Sequence, residues 1–321
     1  MNPVRLGLWT LCLFGAGIGF FQAKPAKGPQ PASPPCPEFE TGVSRGWVKP
    51  AFIDEASGIV ASRDTPGVFW VHNDSGDISR VFAIDEAGTL LATCELACVD
   101  ARDWEDISIG PGPEPDRDYL YIGDVGDNKA KRDLIHVYRV PEPRVDPTKS
   151  GVSMMLNQVE TITLAFPDHP RDVETLMVDP LSGDLYLISK RETPSRIYRV
   201  PYPQSTTSTN ELQLVGTLPW GWAVGGDISP DGQWILIKGY FNAGLWRKQP
   251  GQPLWSAFAQ EQCQITLRSE PQGEAIGFRA DGCGFYTLSE HINQPLYYYK
   301  PLAPCTPAPV PVREVRSEQG R

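Results

Sequence analysis

The sequence predicts an all-β fold, a β-propeller of five four-stranded blades. Three observations carry that prediction: a repeat near fifty residues, four strand-like runs within it, and no long amphipathic helix pattern. The repeat openings are EASGIVAS at 55–62, DWEDISIG at 103–110, DVETLMVD at 172–179, GGDISPDG at 225–232 and GEAIGFRA at 273–280, with start spacings of 48, 69, 53 and 48 residues. Each sets acidic or small residues before an aliphatic one and serves as the first strand of a blade.

A second run follows each opening: GVFWVHND, DYLYIGDV, DLYLISKR, QWILIKGY and GFYTLSEH. These are β-branched and aromatic residues bounded by Gly, Asp and Asn, the signature of strands between turns. A third run follows (SRVFAID, LIHVYRV, SRIYRV, AGLWRK, QPLYYY), and a fourth in blades one to four, such as TLLATCEL and VETITLAF. The 69-residue spacing is attributed to PEPRVDPTKSGVSMMLNQ, which lengthens one connection between third and fourth strands. After the fifth third-strand the chain becomes PLAPCTPAP, so the last blade needs its outer strand from TGVSRGWVKPAF, ahead of Glu55. The ring is then closed by strands from both ends of the domain. Six blades is the alternative if a long loop hides one.

The flanks read differently. Arg5, the apolar run 6–21 and Ala23 make residues 1–23 a signal peptide, and about sixteen apolar residues fall short of the roughly 20 that a membrane span needs. An uncleaved N-terminal membrane anchor is the alternative. Residues 24–35 form a Pro-rich linker and 306–321 a disordered tail, both too poor in large apolar residues to offset chain entropy. Residues 36–305 are the propeller domain. A net charge of −10 and the lack of a basic stripe argue against nucleic acid as partner. Outside the apolar run, six cysteines remain, which fits disulfides in a secreted or periplasmic protein. The pairing expected is Cys94–Cys98, Cys263–Cys283 and Cys36–Cys305.

Blade geometry then locates a site. In a blade the start of the first strand and the end of its antiparallel neighbour share one face with the loop between second and third strands. That rule gathers Glu55, Ser57, Asp103, Glu105, Asp106, Asp172, Glu174, Asp227 and Glu274 from the openings, and His72, Asn73, Asp74, Asp124, Lys190, Arg191, Lys238, Glu290 and His291 from the second strands. Two carboxylates about 4 Å apart repel by roughly 4 kcal/mol at an effective dielectric near 20, so such a funnel calls for protons, ion pairs or a cation. The metal-ligand candidates are Glu55, Asp74, Glu105, Asp124, Glu174, Asp227, Glu274 and Glu290, an all-oxygen set that suits Ca²⁺ rather than zinc. Lys190, Arg191, Lys238 and Asn73 are the candidates for holding a small-molecule or anionic ligand. His72 and His291 are the candidate general bases. Against all of them stands ordinary turn chemistry, since Asp and Asn close turns through their own side chains. Trp104 is assigned to packing between blades.

The succession EASGI, HNDSGD, DWEDI, GDVGDN, DVETLMVD, GGDISPDG and QGEAIGF resembles a family of exported bacterial β-propellers of the WD40-like or TolB-like kind, over roughly residues 50–302. More loosely, the chain is similar to gluconolactonase-type and SdiA-regulated propellers, which open blades with an E-G-I-like motif and bind calcium in the funnel. The resemblance implies a divalent cation. The match is partial, because Ser57 stands where blade one would carry an acid and blade four offers Asp227 in GGDI. Two functions follow as expectations: a ligand-binding or recognition propeller centred on a cation, or a metal-dependent hydrolase of a small ester, lactone or phosphoester.

Overall fold

The structure, a computed structural model, describes residues 35–307. The segment read as signal peptide, all but the last residue of the linker, and residues 308–321 of the tail lie outside the described residues. The first strand, β1 (Val43–Val48), belongs to the last blade. Blade one is β2 (Ala56–Ala61), β3 (Val68–Asn73), β4 (Arg80–Asp85) and β5 (Leu90–Leu96). Blade two is β6 (Trp104–Pro111), β7 (Asp118–Asp124) and β8 (Ile135–Pro141), continued after β9 (Val152–Leu156) by β10 (Glu160–Ala165). Blade three is β11 (Val173–Val178), β12 (Leu185–Ser189) and β13 (Arg196–Val200), continued after β14 (Asn210–Glu211) by β15 (Gln213–Thr217). Blade four is β16 (Ala223–Ile228), β17 (Trp234–Gly239), β18 (Ala243–Arg247) and β19 (Cys263–Ile265), with a 3₁₀ turn at Leu254–Ala259 between the last two. Blade five is β20 (Gly273–Phe278), β21 (Phe285–Ser289) and β22 (Gln294–Tyr299), and β1 pairs with β22 as its fourth strand.

The five blades and the closure by both ends of the domain are therefore as predicted. Two loops do more than the sequence indicated. The long insertion carries β9, which adds parallel to β5 as a fifth strand of blade one. β14 likewise adds parallel to β10 of blade two. Each covers the outer edge of the preceding blade, which removes an exposed row of unpaired backbone groups.

The core consists of five apolar layers, each shared by two neighbouring blades. One layer joins Trp70 and Val60 of blade one to Trp104, Ile107 and Tyr138 of blade two. Another joins Phe69 and Phe82 of blade one to Tyr286 and Leu288 of blade five. The inner strands β2, β11, β16 and β20 are buried throughout, because they are packed on both faces. Trp104 packs between blades as expected, 1 % exposed.

The disulfides correct the sequence reading. Cys36 pairs with Cys263 and Cys283 with Cys305, while Cys94 and Cys98 are free. The reason lies in the path of the two ends. Residues 38–40 pair back on 300–302 through Glu40 N–H to Lys300 O (2.8 Å) and Leu302 N–H to Glu38 O (2.9 Å). That carries Cys36 to the outer strand of blade four, and Cys305 to the first turn of blade five, where Cys283 sits. Cys94 is buried in the layer between blades one and two. A non-reducing peptide map is expected to link Cys36 with Cys263 and Cys283 with Cys305. Native alkylation should mark the exposed Cys98 and spare Cys94 until the protein unfolds; a Cys94–Cys98 peptide would contradict this arrangement. The two disulfides fit an oxidising, extracytoplasmic compartment, and no described helix is long and apolar enough to cross a membrane.

Candidate functional site

All five inner strands carry the same irregularity at their entrance. The register with the second strand shifts between Ala56 and Gly58, Trp104 and Asp106, Val173 and Thr175, Ala223 and Gly225, and Gly273 and Ala275. The skipped residue in each blade is Ser57, Glu105, Glu174, Val224 or Glu274. A bulge re-aims the side chain of its extra residue, so these five form one structural ring. Three of the five are glutamates, and their carboxylate oxygens lie within 4.8 Å of one another.

Asp227 leaves the ring for this reason. It lies three residues beyond the bulge position of its strand, and both its oxygens accept backbone N–H groups, from Ile228 and from Phe278 of the next blade, at 2.8 Å each. Burial raises it to about 6. It staples blade four to blade five, just as Ser108 in blade two accepts the Val178 N–H at 3.0 Å.

Asp103, placed on the ring from sequence but left out of the ligand set, lies beside two of its members. Asp74, Asp103 and Glu105 form a second triad of carboxylate oxygens within 4.8 Å, so Glu105 is common to both triads. Burial pushes Glu105 well above the ordinary carboxylate range, reinforced by Glu174, Asp74 and Asp103. Burial also raises Asp74, to about 7, partly offset by the Ser75 N–H, and raises Asp103, with Asp172 adding to the effect. Among the described residues, the Ser75 N–H on Asp74 is the sole hydrogen bond donated to the carboxylates of this triad. Gly126, in the β7–β8 loop, lets the backbone approach: a Cβ there would sit 2.6 Å from an Asp103 oxygen and collide with Glu105 Oε1.

The glutamate triad differs in having a cation of its own. Lys190 Nζ lies 2.5 Å from Glu174 Oε2 and 3.6 Å from Glu274 Oε1. Burial alone would lower its pKa, but the two carboxylates outweigh burial and hold it above its ordinary value. Tyr240 closes the arrangement, its hydroxyl donating to Glu274 Oε1 at 2.5 Å and its ring centroid 5.0 Å from Lys190 Nζ. Ser57 Oγ donates to the Glu105 carbonyl and lies 3.3 Å from Glu274 Oε2. Glu290 is raised to about 8 by burial and then by Glu274 and Asp74, and it accepts from Gln272 Nε2 at 2.8 Å.

The remaining sequence candidates have other occupations. Asp124 is paired with the buried Arg132 at 2.8 Å and accepts from the Tyr138 hydroxyl at 3.2 Å. Lys238 is paired with Glu270 at 2.5 Å. Arg191 is paired with Asp172 at 2.6 Å and reaches Asn128. Asn73 donates to Phe52 O (2.7 Å) and Asp77 Oδ2 (2.9 Å), tying the end of β3 to the chain entering blade one. Glu55 is exposed at the rim, and its carbonyl accepts the Asp74 N–H at 2.8 Å. His291 is exposed with a left-handed φ of 79°.

His72 does not face the funnel as a base. It is 0 % exposed, its Nδ1 meets the Asn73 carbonyl at 2.7 Å, and its ring lies edge-on to Trp104 at 6.0 Å. Burial lowers it to about 4, so it stays neutral at physiological pH.

No protein-family model and no curated protein matches the chain. In shape it is similar to a chain in the crystal structure of the mitotic checkpoint complex (TM-score 0.40, 11% identity, 86% of this chain and 97% of that one). It is also similar to Kuenenia stuttgartiensis hydrazine synthase (TM-score 0.38, 11% identity, 76% of this chain and 94% of that one). Fold and site together define the class: a five-bladed β-propeller with a carboxylate-rich mouth.

Proposed function

We propose that this protein is an exported bacterial recognition propeller, secreted or periplasmic, whose funnel mouth holds a divalent cation at Asp74, Asp103 and Glu105. Glu105 is the observation that carries the reading. Its side chain is 2 % exposed, no described donor reaches its carboxyl oxygens, and both triads converge on it. Three carboxylates whose oxygens lie within 4.8 Å of one another repel unless protonated or bridged, and a hard cation is the partner that such a cluster selects. Calcium suits an all-oxygen set with room for further oxygen ligands, since it takes six to eight at varied geometry. The coordination positions left over would meet a small-molecule or anionic ligand.

The hydrolase alternative has less behind it. Lys190, Arg191 and Lys238, the groups that would hold an anionic substrate, are each paired internally. Of the two candidate bases, His72 is buried against Trp104, which leaves the exposed His291.

Calorimetric titration of the full chain with calcium tests the proposal. One equivalent is expected to bind, with affinity lost in Asp103→Asn and in Asp74→Asn. Heat-silent titrations with calcium, magnesium and manganese, and a melting point indifferent to chelator, would leave the carboxylates as protonated structural groups and end the cation reading.

A further inference from the structure

The two carboxylate triads share Glu105 but differ in occupancy. The Asp74–Asp103–Glu105 triad faces no cation within ion-pair distance among the described residues, whereas Lys190 is seated in the Glu105–Glu174–Glu274 triad. We infer that Lys190 is a built-in occupant of a second cation position, so that the funnel takes one divalent ion where its carboxylates could hold two. This rests on the cation reading of the mouth.

The ammonium is enclosed by these groups. It has three N–H donors, and around it stand Glu174 Oε2 at 2.5 Å, Glu274 Oε1 at 3.6 Å and the Tyr240 ring, its centroid 5.0 Å away. Its side chain is 7 % exposed, so water does not substitute for these partners. A group so placed cannot turn to clamp a ligand's anion without abandoning two buried carboxylates. What it does supply is fixed positive charge beside Glu174 and Glu274. That charge repels a second divalent ion from the inner triad and leaves Glu105, beyond its ion-pair distance, to the outer one. Lys190 thereby acts as a specificity-determining residue: it sets stoichiometry, and it keeps the glutamate triad from competing for the ion.

Blade four supports the asymmetry. Its bulge residue is Val224, so the ring lacks a fourth carboxylate that would need a further cation. The ammonium pairs with two of the three ring glutamates, Glu174 and Glu274, and the third, Glu105, is the one shared with the outer triad.

Stoichiometry tests the inference. Calcium titration of the full chain is expected to give one ion for the wild type and two for Lys190→Met, in which a neutral side chain of similar length vacates the inner position. A second comparison leaves Lys190 in place, in case Lys190→Met folds poorly. Glu174→Gln should keep calcium affinity within about threefold, and Asp103→Asn should lower it about thirtyfold or more. One ion in the wild type and one in a folded Lys190→Met would overturn the role of Lys190 and leave the mouth site standing, whereas a larger loss in Glu174→Gln than in Asp103→Asn would put the ion in the inner triad and overturn both. No binding by either the wild type or Lys190→Met would overturn both.

Discussion

Glu105→Gln is expected to lower calcium affinity at least about a hundredfold, roughly 2.8 kcal/mol of binding free energy. The substitution keeps shape and removes charge from the one carboxylate shared by both triads. No described donor hydrogen-bonds the Glu105 carboxyl, and Lys190 offsets only part of burial and of its acidic neighbours, so protons or a cation must compensate the rest of its charge. The same change should therefore raise the melting temperature of the calcium-free protein near pH 8, where the wild type must either bury a charge or bind a proton. Val224→Ala, at the corresponding bulge of blade four, is the control and should leave affinity within about threefold. Calorimetry and thermal unfolding read both effects. Wild-type affinity in Glu105→Gln would mean that the ion, if bound, sits elsewhere.

The second large effect is on pH. Asp74 is raised to about 7 and Glu290 to about 8, both chiefly by burial, and Glu105 is raised well above the ordinary carboxylate range by the same cause. Unfolded carboxyls titrate near 4, so from there up to the folded values the native state binds more protons than the unfolded chain, and stability falls as pH rises. His72 works oppositely. It is lowered to about 4 by burial, so between 4 and its unfolded value near 6.5 the unfolded chain takes up the extra proton and stability rises with pH. The two effects offset one another below 6.5, and above it the carboxyls act alone. Calcium-free protein should accordingly lose melting temperature between pH 6.5 and 8.5, on the order of 5 °C for a domain of this size, with solvent screening of the partly exposed Asp74 allowed for. Saturating calcium should flatten or reverse that slope, because the ion takes the place of the protons. A calcium-free melting temperature that rises steadily from pH 6.5 to 8.5 would contradict the protonated-carboxylate account.

Much of this site is legible in the sequence because blades repeat. Once DWEDI, DVETL and GEAIG are recognised as the same position, Glu105, Glu174 and Glu274 fall into one ring without any coordinates. Alignment on the aliphatic residue alone fails in blade four, where GGDI invites Asp227 into the ring. The bulge there falls at Val224, and the AVGGDI run read from Ala223 would have revealed the offset. Every inner strand carries the bulge, but the aliphatic residue stands two positions past it at Ile59, Ile107, Leu176 and Ile276 and four past it at Ile228. Asp103 was within reach for a simpler reason: it immediately precedes Trp104, and packing that tryptophan inward places its neighbour at the mouth.

Charge partners were beyond the sequence. Lys190, Arg191 and Lys238 read as free cations at strand ends, yet each is neutralised by a carboxylate 16 to 32 positions away in the chain or farther. Histidine at a strand end gives no sign of whether its ring turns to the funnel or into the layer between blades; the packing of Trp104 decided that for His72.

By itself, the sequence determined the strand periodicity, the closure of the ring by both ends of the domain, and the face on which the acids gather, and it favoured five blades over six, which the structure bears out. These follow from local pattern and from a geometry that every blade repeats. Tertiary structure alone decided which cysteines meet, which side chain each bulge turns inward, and which carboxylates already own a cation. Those outcomes depend on ångström-scale placement between blades distant in the chain, and no local pattern of residues encodes it.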